Sequence, residues 1–382
     1  MMPSPKESDR LVTKDSRIPR VLAVCSSTVW GGAEKWVLRA CEQLHRREHR
    51  VDLVVRDLEL FRSQSRESVP LHRLPLRSDR DFASVIALAR RARRGADVLL
   101  VTKRRDYWLG GLAGRLAGVP VLLRLGIVRR MRQRHFADRL RYGVFPAALL
   151  VNAERTRETL EETPWLRSKP ISVIYNGVDA PGPLHPERRA QLRQQLGVGN
   201  SSILILGGGR LTPQKRWNWL IDATADLTAA GHDVMTRIFG EGDRRAALED
   251  RVRERRISEH FRLEGFRADL TEWLGAADVV ALPSVNEGVA NIVLEALGRS
   301  VAVVATTTGG MDEVLEPGRH ALLTTPSDYD AFLGSLERAV GDPALRARLG
   351  EAGYTLVRER FSWEQMTNQI EAVLASLSRV PS

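Results

Sequence analysis

The chain has 382 residues, more than one hydrophobic core usually supports, so two domains are expected. Its apolar fraction of 43% and charged fraction of 27% are those of a soluble globular protein, and no run reaches the ~18 apolar residues that a membrane span needs. A formal net charge of +11 calls for an anionic partner, which by charge alone is a nucleotide, a membrane surface or a nucleic acid.

Residues 1–16 are polar and lack the apolar core of a signal peptide, so they are expected to be a disordered cytoplasmic leader. From Arg20 onward, short β-branched or leucine-rich runs alternate with amphipathic stretches of helical length, the pattern of parallel βαβ units. Strands are predicted at 20–25, 50–55, 69–74, 97–102, 120–124, 148–152 and 171–174, with helices at 33–47, 81–94, 106–117 and 153–162. The span 177–186 holds three prolines and two glycines and reads as a linker. A second series follows, with strands near 202–206, 234–239, 261–263, 278–282, 301–305 and 321–324, and closing helices at 328–340, 343–359 and 363–378. The predicted organisation is therefore a leader (1–16), an N-terminal Rossmann-like domain (17–178), a C-terminal Rossmann-like domain (179–360) and a final helix (361–382). Such doubly wound α/β domains bind ligands at the carboxyl ends of their strands.

Cys25 falls in a predicted strand and Cys41 in a predicted helix, without C-x-x-C or metal-ligand spacing, as expected of buried free thiols in a reducing compartment. The chemistry concentrates in three segments. Gly207-Gly208-Gly209-Arg210-Leu211-Thr212-Pro213-Gln214-Lys215 follows a strand and precedes a helix. Its glycines allow close backbone approach, and Arg210 and Lys215 add two cations beside a helix N-terminus, which suits a diphosphate. Alone, the segment also reads as a glycine-rich turn with solvated basic residues. The dinucleotide fingerprint G-x-G-x-x-G is missing, which argues against a nicotinamide cofactor.

In the second segment, Pro283 to Ala296, a helix is expected from Gly288 or Val289, with Glu287 at its entry and Glu295 eight residues on. That offset would put both carboxylates on broadly one side at different depths, suited to hydroxyls on two parts of one long ligand. Spacing equally allows a capping Glu287 and an unrelated surface Glu295. The third segment, Trp30-Gly31-Gly32-Ala33-Glu34, repeats the close-approach logic after the first strand.

Together these segments resemble the retaining glycosyltransferases of the GT-B fold, family 4, from Val21 to about Phe361. The motifs come in order: GGAE at 31–34, YNGVD at 175–179, GRLTPQK at 209–215, GEGD at 240–243, LEGF at 263–266, the E-x7-E segment from Glu287 to Glu295, and TGGMDEV at 308–314. The resemblance implies a GT-B architecture with two Rossmann-like domains facing across a cleft, and sugar transfer from a nucleoside diphosphate sugar to a hydroxyl. It implies that Arg210 and Lys215 bind the donor diphosphate, that Glu287 touches the transferred sugar and that Glu295 accepts from the ribose. The backbone of Glu264, Gly265 and Phe266 would lie beside the base, and Gly31 and Gly32 would approach from the other domain. Gly209, Gly288, Val289 and Asn291 complete the expected donor-binding set.

The final helix, from near Trp363, is expected to cross back onto the N-terminal domain. Cations at the leaving diphosphate would replace a metal, and no cofactor is expected. Asp79-Arg80-Asp81 and Asp328-Tyr329-Asp330 precede helical patterns and read as caps rather than a metal site. Relatives often carry a histidine after the fifth strand, where this chain has Leu123-Arg124-Leu125-Gly126, which leaves Arg124 as a candidate beside the sugar.

Residues 129–141 place six arginines among Met131, Phe136 and Leu140. The segment reads as a basic amphipathic helix whose Arg129, Arg130, Arg132 and Arg134 would face an anionic membrane or a lipid-linked acceptor, or alternatively as a solvated arginine-rich helix or loop. The expected acceptor is a cell-envelope glycan or glycolipid, and the expected location is cytoplasmic, peripheral to the inner face of the membrane. Two rivals of the same fold are a sugar-nucleotide epimerase and a phosphorylase. A basic nucleic-acid-binding protein is the rival from another class, disfavoured by the acids in the cleft and by an aromatic content of only 6%.

Overall fold

The computed structural model describes residues 18–126 and 136–378. The expected leader and the arginines at 129, 130, 132 and 134 lie outside the described residues.

Thirteen strands among these residues form two all-parallel sheets. The N-terminal sheet comprises β1 (Val21–Cys25), β2 (Val51–Val55), β3 (Leu71–Arg73), β4 (Val98–Val101), β5 (Val121–Leu125), β6 (Ala148–Val151) and β7 (Ile171–Val173), in the order β3-β2-β1-β4-β5-β6-β7. The C-terminal sheet comprises β8 (Ile203–Gly208), β9 (Val234–Phe239), β10 (Phe261–Gly265), β11 (Val279–Leu282), β12 (Ala302–Thr306) and β13 (Leu322–Thr324), in the order β10-β9-β8-β11-β12-β13. Each contains the doubly wound 3-2-1-4-5-6 order, with the chain reversing its direction of winding between β1 and β4 and between β8 and β11.

The strands are apolar on both faces because helices cover both sides. Period-two alternation divides the N-terminal core: Val21, Ala23 and Cys25 of β1, with Val98 and Leu100 of β4, enter one layer, while Leu22, Val24, Leu99 and Val101 enter the other. The first layer is closed by the helices Gly32–Arg46 and Trp363–Ser378. In the second of these, Trp363, Met366, Ile370, Leu374 and Leu377 recur every three or four residues and join the core of β1. The end of the chain therefore packs on the N-terminal sheet. Next to this crossing helix, Val178 N–H donates to the Phe361 carbonyl at 2.8 Å and Trp363 Nε1 donates to Asp179 at 3.1 Å, so the two crossing segments lie side by side.

Three local expectations are corrected. Pro186, expected to help break the chain, opens the helix Pro186–Gln195, where the first turn tolerates its missing N–H. The helix after β11 runs from Asn291 to Leu297, so Gly288 and Val289 belong to the loop before it. Of the basic segment 129–141, the described part does not continue as a regular amphipathic helix: a short α-turn, Phe136–Asp138, leads into a π-helix, Arg139–Val144. There Arg141 is buried, 3.0 Å from Asp79 and 3.4 Å from Asp138, over the Trp108 ring. The D-x-D segments do act as caps, with Asp81 accepting from Ser84 N–H at 3.1 Å and Asp328 from Ala331 N–H at 2.9 Å. Cys25 and Cys41 are buried free thiols, and burial pushes the Cys25 thiol up to about 12. No helix among the described residues is long and apolar enough to cross a membrane.

Candidate functional site

The carboxyl ends of β8 and β11 meet at the reversal point of the C-terminal sheet, and the glycine-rich turn after β8 is built there. Gly240 has φ +151°, and a Cβ on it would lie 1.9 Å from the Gly209 carbonyl oxygen. The GEGD loop thus presses directly on the GRLTPQK turn, and only glycine fits at 240. Leu211 N–H donates to the Glu241 carbonyl at 2.9 Å, and Trp217 Nε1 holds the Arg210 carbonyl at 3.1 Å. With its backbone fixed, Arg210 is exposed, and among the described residues no carboxylate pairs with its guanidinium.

Pro213–Lys215 forms a single 3-10 turn, and Lys215 Nζ lies 2.7 Å from Glu287 Oε1. Both side chains are largely buried. The loops carrying them are tied by Val285 N–H donating to the Gln214 carbonyl at 2.9 Å. Gly309, with φ +68°, lets the Glu287 carbonyl pass where a Cβ would stand 1.6 Å away, and Glu287 lies in the loop before the helix. The two acids are therefore offset along a loop and then a helix, not along one helix. Glu295 sits in the helix, where Ile292, Val293, Leu294, Ala296 and Leu297 are all buried.

Glu264, Gly265 and Phe266 lie at the end of β10. Gly240 N–H donates to the Gly265 carbonyl at 2.8 Å, Glu264 is 3.3 Å from Arg237 Nε, and Phe266 is exposed.

The opposite wall approaches at several points. Gly32 opens the helix after β1, and a Cβ there would lie 3.2 Å from Asn291 Nδ2. Gly31 is the residue before that helix, 3.2 Å by the same measure from Glu34. Gly288 abuts Asn152, at 2.6 Å from where its Cβ would be. Asn176, from YNGVD, donates to Asn291 Oδ1 at 2.6 Å and accepts from Arg124 Nη2 at 3.0 Å. Arg124 stacks over Trp36 at 4.4 Å, and burial pushes its guanidinium down to about 10. It thus supports the contact between the two walls.

Sequence reasoning did not single out Lys35, Asn152, Asn176 or Glu313. Lys35 Nζ reaches Glu295 at 2.7 Å, and the Glu313 carboxylate accepts from the backbone N–H groups of Glu154 and Arg155, at 2.7 Å each. Tyr175 donates to the same carboxylate at 3.4 Å. Burial, followed by the nearby carboxylates, raises this phenol to about 12. For Lys35, Asn176 and Glu313 the available signal was membership of a motif: Lys35 directly follows GGAE, Asn176 lies in YNGVD and Glu313 in TGGMDEV. Asn152 carried none.

Residues 30–180 match Glycosyltransferase Family 4 and residues 188–356 match Glycosyl transferases group 1. A D-inositol 3-phosphate glycosyltransferase of Jonesia denitrificans is 28% identical over 299 residues, covering 70% of this chain and 69% of its own. A lipopolysaccharide core biosynthesis glycosyltransferase, LpsE, of Rhizobium meliloti is 26% identical over 251 residues, covering 66% and 71%. Among solved structures, Anabaena HepE in complex with UDP and glucose superposes with a TM-score of 0.82 at 21% identity, covering 94% of this chain and all of that one. The facing doubly wound sheets, the glycine-built turn beside the Lys215–Glu287 pair and the two matches that together span most of the sequence lead to one conclusion: the chain belongs to the group 1 glycosyltransferases of GT-B architecture.

Proposed function

We propose that the protein transfers a sugar from a nucleoside diphosphate sugar to a hydroxyl of a cell-envelope glycan or glycolipid, with retention at the anomeric carbon and without a metal ion. The observation that carries this reading is the cluster at the end of β8, where Arg210 is exposed beside the paired Lys215 and Glu287. Cleavage of the anomeric C–O bond leaves its electron pair on the departing diphosphate, while the acceptor oxygen bonds to the anomeric carbon and its proton passes to an oxygen of that diphosphate. Arg210 and Lys215 offset the charge that grows on the leaving group, and Glu287 orients the sugar. Glu295 accepts from the ribose, with Gly209, Gly288, Val289 and Asn291 lining the donor and the backbone of Glu264 to Phe266 beside the base. Gly31 and Gly32 bring the opposite wall close. HepE holds UDP and glucose, and LpsE acts in lipopolysaccharide core synthesis, which supports this donor and acceptor class.

We place the protein in the cytoplasm, peripheral to an anionic membrane. Beyond the proposed contacts of Arg129, Arg130, Arg132 and Arg134, this rests on the helix Phe82–Arg93, whose exposed Phe82, Ile86, Arg90 and Arg93 share a face. No carboxylate occurs between residues 82 and 95.

The test is calorimetry with nucleoside mono- and diphosphates, followed by product analysis in excess chelator. The diphosphate of the preferred base should bind tenfold to hundredfold more tightly than the monophosphate, the worth of about 1.5 to 3 kcal/mol for charge-assisted hydrogen bonds, and transfer should continue in chelator. Equal affinities, or activity lost in chelator and restored by manganese or magnesium, would overturn the reading. Free sugar nucleotide or sugar phosphate as the sole product would point to an epimerase or a phosphorylase.

A further inference from the structure

Glu295 is buried in an apolar helix, with its side chain only 8% exposed. A carboxylate so placed needs partners that replace the water it has lost. One partner comes from its own half: Thr271 Oγ1 donates to Oε2 at 3.2 Å. The cation comes from the opposite half, where Lys35 Nζ donates to Oε1 at 2.7 Å and to Thr271 Oγ1 at 3.2 Å, which closes a three-membered network across the cleft. Lys35 sits in the first turn of the helix Gly32–Arg46, where the helix dipole disfavours a positive charge. Local helix stability therefore does not account for a lysine there, whereas the contact across the cleft does. Gly32, three residues earlier, lets the same turn approach Asn291.

A carboxylate offers about four acceptor positions. Lys35 and Thr271 use one on each oxygen, and the others remain for a vicinal diol. We propose that Lys35 is a positioning residue of the donor site, supplied by the N-terminal half, which holds Glu295 in the orientation that receives the nucleotide ribose. The ribose subsite is then built from side chains of both halves. This inference rests on the reading of Glu295 given above.

The experiment is calorimetry with UDP and with 2′,3′-dideoxy-UDP on the full chain. It compares the wild type with Lys35→Met, Lys35→Arg, Glu295→Gln and the double variant Lys35→Met/Glu295→Gln. Lys35→Met should weaken UDP about tenfold, Lys35→Arg should recover most of that loss, and the double variant should bind no more weakly than Glu295→Gln, because Lys35 acts through Glu295. Binding of the dideoxy nucleotide, which lacks the diol, should be the same in wild type and Lys35→Met. A loss shared equally by both nucleotides, or additive losses in the double variant, would overturn the proposal by giving Lys35 a merely structural role. Unchanged or tighter UDP binding in Lys35→Met would overturn it too, since Lys35 would then be idle or competing with the ribose. If Glu295→Gln itself binds UDP as the wild type does, the reading of Glu295 falls; if Glu295→Gln weakens UDP and Lys35→Met does not, only the role of Lys35 falls.

Discussion

The two halves share a strand order but finish the turn after their first strand in opposite ways. In the N-terminal half, Ser26 N–H, just past β1, is taken by both oxygens of Asp106, at 3.1 and 3.2 Å, and Lys103 N–H donates to the same carboxylate at 3.1 Å. The nearby cation, Lys103, is paired with the buried Glu34. The place where a doubly wound fold can receive a phosphate is thus filled by the chain's own acid. In the C-terminal half the equivalent turn, after β8, is built of glycines; among the described residues no carboxylate accepts from its backbone N–H groups, Glu287 pairs instead with the Lys215 side chain, and Arg210 is exposed. One fold used twice therefore has one anion position closed and one open. That difference, rather than the fold, favours the C-terminal half as the donor site.

The closed position carries the largest expected effect. Asp106 is fully buried, and desolvation, partly opposed by its hydrogen bonds to Ser26 and Lys103, pushes its carboxyl up to about 7. The folded value is raised above the unfolded one, so the native state keeps a proton that the unfolded chain releases. This contribution to stability is complete below about pH 4 and is lost as the pH rises through about 7. A shift of that size corresponds to on the order of 4 kcal/mol. Urea unfolding from pH 4 to pH 8 should show the wild type losing stability over this window, and Asp106→Asn should lack that part of the slope. Parallel curves for the two proteins would mean that Asp106 is not the closed anion position described here.

The open position is tested by Arg210→Ala, which should lower kcat by about a hundredfold, on the order of 3 kcal/mol of transition-state stabilisation. Its counterpart in the other half, Lys103→Ala, should leave nucleoside diphosphate affinity at the wild-type level, since the Asp106 carboxylate already takes the backbone N–H groups of Ser26 and Lys103 beside it. Kinetics of the first and calorimetry of the second compare the two turns directly. A rate within a factor of two for Arg210→Ala, or a large loss of affinity for Lys103→Ala, would reverse their assignment.

Much of this contrast was legible from residue order alone. The strands announced themselves because parallel strands covered on both faces are nearly continuous in valine and leucine, and the GGGR and GEGD glycines marked a real close approach, Gly209 against Gly240. The crossing helix was legible in the spacing from Trp363 to Leu377. What stayed hidden depends on partners far away in sequence. The loop at Glu287 passes against Gly309, Arg141 pairs with Asp79 and Asp138, and Lys35 meets Glu295 from the other half. Arg124, which sequence order left only as a candidate, stacks on Trp36 and donates to Asn176. Local periodicity carries no record of such contacts.

The smallest effects come from within the open position, where the two carboxylates differ in the partner that holds them. Glu287 pairs with Lys215 from its own half, among the groups proposed to face the reacting sugar and the diphosphate, whereas Glu295 pairs with Lys35 from the other half, where the ribose is proposed to lie. Ribose hydrogen bonds are made equally in the ground and transition states, so Glu295→Ala should raise the donor KM with kcat little changed, and free nucleoside diphosphate should bind more weakly. The sugar changes charge and position during transfer, so Glu287→Ala should lower kcat while nucleoside diphosphate affinity stays near that of the wild type. Each effect should be roughly tenfold to hundredfold, the worth of about 1.5 to 3 kcal/mol for a charge-assisted hydrogen bond. Steady-state kinetics and calorimetry on both variants separate the roles. Loss of nucleotide binding in Glu287→Ala with intact binding in Glu295→Ala would turn the donor end for end in the cleft, because the carboxylate beside Lys215 would then be the one that holds the ribose.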